Sequence, residues 1–297
     1  MASQESQMLI EMLRSREASA TTPTVAEQRA GYEAMTAASP LVEGTTVEKT
    51  TAGGVPCEFV VAPGADPSRV VVYLHGGGYV IGSAASHREL ASRVSAATGA
   101  RVLTVDYRLA PEHPFPAAVE DATFAYQSLI ESGYAPSRLA IGGDSAGGGL
   151  TAATLLSIRD RGLPQPACAV LISPWTDLTM SGESITGRAG IDPIVNDAEI
   201  QSMAADYLGG QDAKSPLASP LFADLTGLPP LLIQVGTFEI LYDDATRFHE
   251  AALRAGIESA FEPYEGQVHV FQQFGPGLPE SVAALASIGT FVKAKMG

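Results

Sequence analysis

A chain of 297 residues, 45% of them apolar, is long enough for one large mixed domain or two small ones and can bury a substantial core. Its 33 acidic residues against 18 basic ones leave a formal charge of −15, which argues against a general affinity for nucleic acid or an anionic lipid surface. No basic stretch followed by an apolar run opens the chain and no segment approaches bilayer-spanning length, so membrane insertion is not expected and the cytoplasm is the expected location.

Residues 1–38 predict two helices. The first carries Met8, Leu9, Met12 and Leu13 at helical spacing. The second opens at Thr24-Val25-Ala26-Glu27, where the two outer side chains can each satisfy a free amide of the other. Beyond about residue 40, strand-like and helical runs alternate. Strands are expected near 46–51, 57–62, 69–74, 101–106, 138–142, 167–172, 230–235 and 260–264, and helices near 84–98, 117–132, 146–160, 242–255 and 279–295. The runs Val70–Leu74 and Leu231–Val235 are nearly continuously apolar, the mark of strands covered on both faces. The alternation predicts an α/β fold of right-handed βαβ units on a mostly parallel, eight-stranded sheet.

Smaller features fit that frame. The first two strands, joined across Gly53-Gly54, read as an antiparallel start. Cys57 and Cys168 fall in apolar, strand-like runs and read as buried free thiols, not a disulfide or a metal site. Residues 176–229 break the rhythm, being rich in Gly, Ser, Pro and Asp with one helix expected near 197–208. An insertion of that length in an α/β sheet predicts a lid or binding element. The last strand, Ala260–Tyr264, should be a sheet edge in which Pro263 removes one ladder donor.

Three segments should meet beyond the carboxyl ends of the strands, where open α/β sheets build their sites. Gly143-Asp144-Ser145-Ala146-Gly147 follows an apolar strand and precedes a helix, so Ser145 would sit on a sharp turn that pushes out its hydroxyl as a nucleophile. His75-Gly76-Gly77-Gly78-Tyr79 ends another strand. Consecutive glycines allow backbone amides to converge on one oxygen, so Gly76 and Gly77 would donate two hydrogen bonds to an oxyanion and Ala146 a third. No Walker lysine follows and the glycine spacing is not that of a dinucleotide loop. Of five histidines, His75 belongs to the glycine loop, His87 and His249 to expected helices, and His113 to a proline-rich stretch. His269 follows a late strand and stands after the serine, as a general base should. The acid should lie on the loop 236–244. Asp243 and Asp244 are explained by the start of a helix, whereas Glu239 is not, and Glu239 is the expected acid.

With His75–Tyr79, Asp106–Ala117, Gly143–Gly148 and Ser173–Leu178, the chain resembles the bacterial hormone-sensitive-lipase family of esterases, within the α/β-hydrolases. The likeness runs from about residue 40 to the end. It implies Ser145 as nucleophile, His269 as base, an oxyanion hole of Gly76, Gly77 and Ala146, and short- to medium-chain acyl esters as substrates, with no metal or cofactor. It further implies a helical cap formed by residues 1–40 and part of 176–229, over a catalytic domain of residues 41–297, and a homodimer paired through the last strand and final helix. Two positions depart from the family pattern: Glu239 replaces the usual aspartate, and Val270 replaces the usual glycine after the histidine. Tyr79, Trp175 and Phe271 follow strand ends and are candidates for lining the substrate pocket. Asp144 is given no catalytic role. Asp106, Arg108, Glu112, Glu120 and Asp121 read as scaffold groups. An amidase or deacetylase would use the same residues, and a non-catalytic small-molecule receptor is the remaining alternative.

Overall fold

The computed structural model describes residues 2–15 and 23–297. Two helices come first, α1 (Gln4–Arg14) and α2 (Val25–Thr36). The latter starts at the expected reciprocal cap, with Glu27 Oε2 accepting from the Thr24 amide at 2.8 Å. Then follow β1 (Thr46–Ala52), β2 (Val55–Val61), β3 (Asp66–Leu74), α3 (Arg88–Thr98), β4 (Ala100–Val105), α4 (Ala117–Glu131), β5 (Leu139–Asp144), α5 (Ala146–Asp160) and β6 (Cys168–Ile172). The expected insertion carries α6 (Glu183–Gly187) and α7 (Asp197–Leu208). It gives way to β7 (Leu231–Gly236), α8 (Tyr242–Arg254), β8 (Ser259–Tyr264) and α9 (Pro279–Met296).

The eight strands form one sheet in the order β1-β2-β4-β3-β5-β6-β7-β8. β2 is antiparallel to both β1 and β4, and every other pairing is parallel. Burial follows position: β5, β6 and β7 are buried along their whole length, while β1 and β8 at the edges are largely not. One face is covered by α3 and α9, whose Leu90, Val94, Leu285, Ile288 and Val292 pack on Val71 and Tyr73. The other is covered by α4, α5 and α8 in a larger core that includes Tyr126, Leu150 and Phe248. Cys57 and Cys168 are buried free thiols, each pushed up to about 12 by desolvation.

α3 begins four residues later than its periodicity suggests. Ser83 and Ser86 exchange side chain–amide hydrogen bonds at 2.8 and 3.0 Å, and the Ala84 amide donates to Asp106, so these residues form a turn instead of helix. Among the described residues no helix is long and apolar enough to cross a membrane.

Candidate active site

Asp144 ends β5, Ala146 opens α5, and Ser145 joins them at φ 56°, ψ −122°, outside the regions an L-residue ordinarily adopts. Small neighbours permit the turn. A Cβ on Gly143 would lie 2.4 Å from the Leu74 and Gly147 carbonyl oxygens, and one on Gly147 would lie 2.0 Å from the Leu74 oxygen. The Ser145 amide donates to Ile172 O at 2.8 Å and its carbonyl accepts from the Trp175 amide at 3.0 Å, so the segment beginning at the end of β6 fixes the strained residue.

The side chains expected to act with Ser145 come from the next two loops. Glu239 is fully buried. Its Oε1 accepts from the Gly236 amide at 2.5 Å and from Ser173 Oγ at 2.7 Å, and its Oε2 meets His269 Nδ1 at 2.8 Å. A carboxylate only accepts, so the Nδ1 proton points at Glu239 and Nε2 is left as the basic nitrogen. Burial pushes the Glu239 carboxyl above its ordinary value, against the pull of His269 and the two other donors. Burial by itself would lower His269; the Glu239 carboxylate outweighs it and holds the imidazole above the ordinary 6.5. Asp243 and Asp244, the competing acids, do not touch His269. Asp243 accepts from the Ser184 amide, while Asp244 accepts from the amides of Thr176 and Asp177 at 2.7 and 2.8 Å. Burial and the neighbouring Asp177 push the Asp244 carboxyl up to about 8.

The glycine loop presents the opposite pattern, with carbonyls tied and amides free. Tyr107 Oη donates to His75 O at 2.6 Å, His75 Nδ1 to Gly76 O at 2.8 Å, and the Val80 and Ile81 amides to Gly77 O. The amides of Gly76, Gly77 and Ala146 donate to no other group among the described residues. His75 itself is neutral, pushed down to about 3 by burial and by neighbouring His87.

Ser145, His269, Gly77 and Trp175 line one cavity of about 260 Å³, together with Tyr32 and Met35 of α2 and Ile200 and Met203 of α7. A hydrogen bond between Ser145 Oγ and His269 Nε2 is not formed in the structure. Tyr79 and Phe271 do not line the cavity: Tyr79 is buried with its ring stacked 3.7 Å from that of Tyr207, and Phe271 lies in a core cluster with Ile10 and Leu13 of α1. Following a strand end was too weak a signal for the pocket, because a large aromatic there packs equally well inward. Larger clefts, of about 530 and 460 Å³, lie around Ser39–Val42 and Glu33–Ala37 and contain no serine paired with a base, whereas one of about 370 Å³, which shares Tyr32, Met35, Ile194 and Gln273 with the Ser145 cavity, holds Ser86 Oγ 3.0 Å from His87 Nδ1 but no carboxylate paired with that nitrogen.

One residue of the site was quoted in a motif without being given a role. Ser173, buried at φ 46°, donates to Glu239 Oε1 and accepts from the Val270 amide at 3.1 Å, binding the acid loop to the histidine loop. Its signal was its place directly after an apolar strand, next to Pro174. Among the described residues no group of three or more His, Cys, Asp or Glu is arranged to hold a metal ion.

Comparison with known proteins adds to this geometry. A family profile described as alpha/beta hydrolase fold matches residues 71–273. An acetyl-hydrolase of Streptomyces hygroscopicus is 48% identical over 247 residues, covering 83% of this chain and 82% of its own. An esterase of Acinetobacter venetianus is 38% identical over 228 residues, covering 76% and 75%. The crystal structure of an esterase from the bacterial hormone-sensitive lipase family superposes with a TM-score of 0.96 at 48% identity over the whole of both chains.

Proposed function

The chain belongs to the α/β-hydrolase family, among the bacterial hormone-sensitive-lipase-like esterases, and from that premise we propose that it is a serine carboxylesterase that hydrolyses short- to medium-chain acyl esters through Ser145, His269 and Glu239. The observation that carries the reading is the 2.8 Å contact of His269 Nδ1 with buried Glu239, at the wall of the cavity that Ser145 also lines. Ser145 Oγ attacks the ester carbonyl as His269 Nε2 takes its proton. Glu239 keeps the Nδ1 proton and stabilises the imidazolium without itself becoming protonated. The free amides of Gly76, Gly77 and Ala146 receive the oxyanion, each worth about 3 kcal/mol of barrier by analogy with single-donor removals. The alkoxide leaves with the proton from Nε2. Water, deprotonated by the same nitrogen, then releases the acid from Ser145.

A cavity of about 260 Å³ supports small acyl groups over long lipid chains. Its walls come partly from α2 and α7, which supports the reading of residues 1–40 and part of 176–229 as a cap over a 41–297 catalytic domain. A homodimer through the open edge of β8 belongs to the same reading and is tested by sedimentation.

The test is hydrolysis of p-nitrophenyl esters of graded chain length beside matched anilides. Ester turnover that falls beyond medium chains and vanishes in Ser145→Ala is expected, with a fluorophosphonate probe attached at Ser145. Turnover retained in Ser145→Ala removes the mechanism, and preference for anilides makes the protein an amidase. Inactive Asp243→Asn beside active Glu239→Gln would reassign the acid.

A further inference from the structure

Packed against the glycine loop is a buried polar cluster that the reaction above does not use: Tyr73, His75, His87, Tyr107 and Asp144, none more than 4% exposed. Asp144 sits at its centre. Its Oδ1 accepts from Tyr73 Oη at 2.8 Å, and its Oδ2 stands 3.5 Å from His87 Nε2, a close approach short of a hydrogen bond. Oδ2 also presses on the loop so closely that a Cβ on Gly76 would lie 2.2 Å from it. Asp144 is the residue before Ser145. One carboxylate therefore spans from the turn that carries Ser145 to the glycine loop, of which Gly77 and Gly78 line the same cavity.

The proton on His87 follows from its neighbours. Nδ1 lies 3.0 Å from Ser86 Oγ and 3.3 Å from Ser83 O, and the Ser86 hydroxyl is also 3.0 Å from Ser83 O. If the hydroxyl turns to Nδ1, that nitrogen accepts and the ring proton is on Nε2. If it turns to Ser83 O, Nδ1 donates, and a bare Nε2 lone pair faces the carboxylate, which repels it. The first arrangement is therefore favoured, and it aims the Nε2 proton at Asp144. A carboxylate buried this deeply is held by the polar groups around it, and here they are the Tyr73 hydroxyl, from β3, which donates to it, and the His87 ring, from the residue that precedes α3, which faces it at 3.5 Å.

We propose that His87 and Tyr73 are positioning residues that clamp Asp144 against Gly76, and so set the Gly76 and Gly77 amides at their distance from Ser145. The inference rests on the esterase reading. Neither residue lines the cavity of Ser145, although Asp144 does, so the clamp acts through Asp144 where displacement of a donor matters most, in the transition state.

His87→Gln and His87→Asn separate the clamp from general packing, because a glutamine amide reaches the position of Nε2 and an asparagine amide only that of Nδ1. With p-nitrophenyl acetate, His87→Gln is expected within about threefold of the parent kcat and His87→Asn about 10- to 100-fold below it, both with KM within about twofold. Affinity for a trifluoromethyl ketone, which mimics the tetrahedral oxyanion, should fall in His87→Asn by the same factor as kcat/KM. Should His87→Asn not accumulate as folded protein, Tyr73→Phe carries the test with the same expected loss in kcat alone. Equal kcat for the Gln and Asn variants, a loss residing in KM, or parent kcat in Tyr73→Phe overturns the clamp and leaves the esterase reading standing. A parent protein inert to both the ester and a fluorophosphonate overturns both.

Discussion

A β-branched residue in the left-handed region is strained, and Val270 occupies that region at φ 48° directly after His269. Its amide must reach Ser173 Oγ, and its side chain is 3% exposed in the core that α3 and α9 share, so burial offsets the backbone cost. The two terms separate by substitution. Val270→Ala keeps the strain and loses the buried methyls; Val270→Gly loses both. Urea denaturation should find both variants below the parent, with glycine more stable than alanine by about 1 kcal/mol. Glu239 offers a second residue-level test. Its carboxylate holds the His269 pKa up, so Glu239→Gln should lower it: the acid limb of kcat/KM moves to lower pH even as the maximum falls. A limb that stays in place, or moves up, would mean that another group carries the base. The type and order of Ser145, Glu239 and His269 were readable in the sequence because each follows a strand end. Ser173 also stands directly after a strand, but that place alone does not separate a hydroxyl joining two loops from an ordinary buried serine.

Among the elements, α2 is the anomaly, since none of its residues is buried. Its anchorage is polar. Arg29 donates from Nε to Val80 O and from Nη2 to Ala110 O, both at 2.8 Å, and pairs with Glu112 at 2.7 Å. Glu33 accepts from Ser83 Oγ at 2.6 Å. Two turns of helix thereby hold Tyr32 and Met35 at the cavity wall. Arg29→Ala should cost about 1–2 kcal/mol locally, the worth of its hydrogen bonds to two carbonyls, with little change in the melting temperature of the sheet. Limited proteolysis should cut near α2 sooner, and KM should rise more than kcat falls. A proteolysis pattern unchanged from the parent would show that other contacts hold the helix. Sequence periodicity located α2 through its cap, and several of the strands, such as β3 and β7, through continuously apolar runs. It missed α6, whose five residues are too few for a period, and it ran α3 through the Ser83–Ser86 turn, where side-chain hydrogen bonds compete with the helix.

The whole molecule carries a field that no local element reveals. Acidic residues exceed basic ones by 15, and around the cavity the rim residue Glu199 belongs to the same excess. A low-dielectric cleft in a negatively charged body repels anions over distances comparable with the screening length, about 10 Å at 0.1 M salt. The rate of productive encounter with a carboxylate-bearing ester should therefore be depressed at low ionic strength relative to an uncharged ester of equal length. Raising sodium chloride from about 10 mM to about 500 mM, where the screening length shrinks to roughly 4 Å, should lift kcat/KM for the anionic ester several-fold while leaving the neutral one nearly flat. The change should reside in KM, since on the proposed mechanism salt does not reach the reaction once the ester is bound. The Glu239–His269 pair cannot mimic this effect: it is buried and little screened, so salt acting there would move both esters together. Parallel salt responses for the two substrates would show that the surrounding field does not govern the encounter.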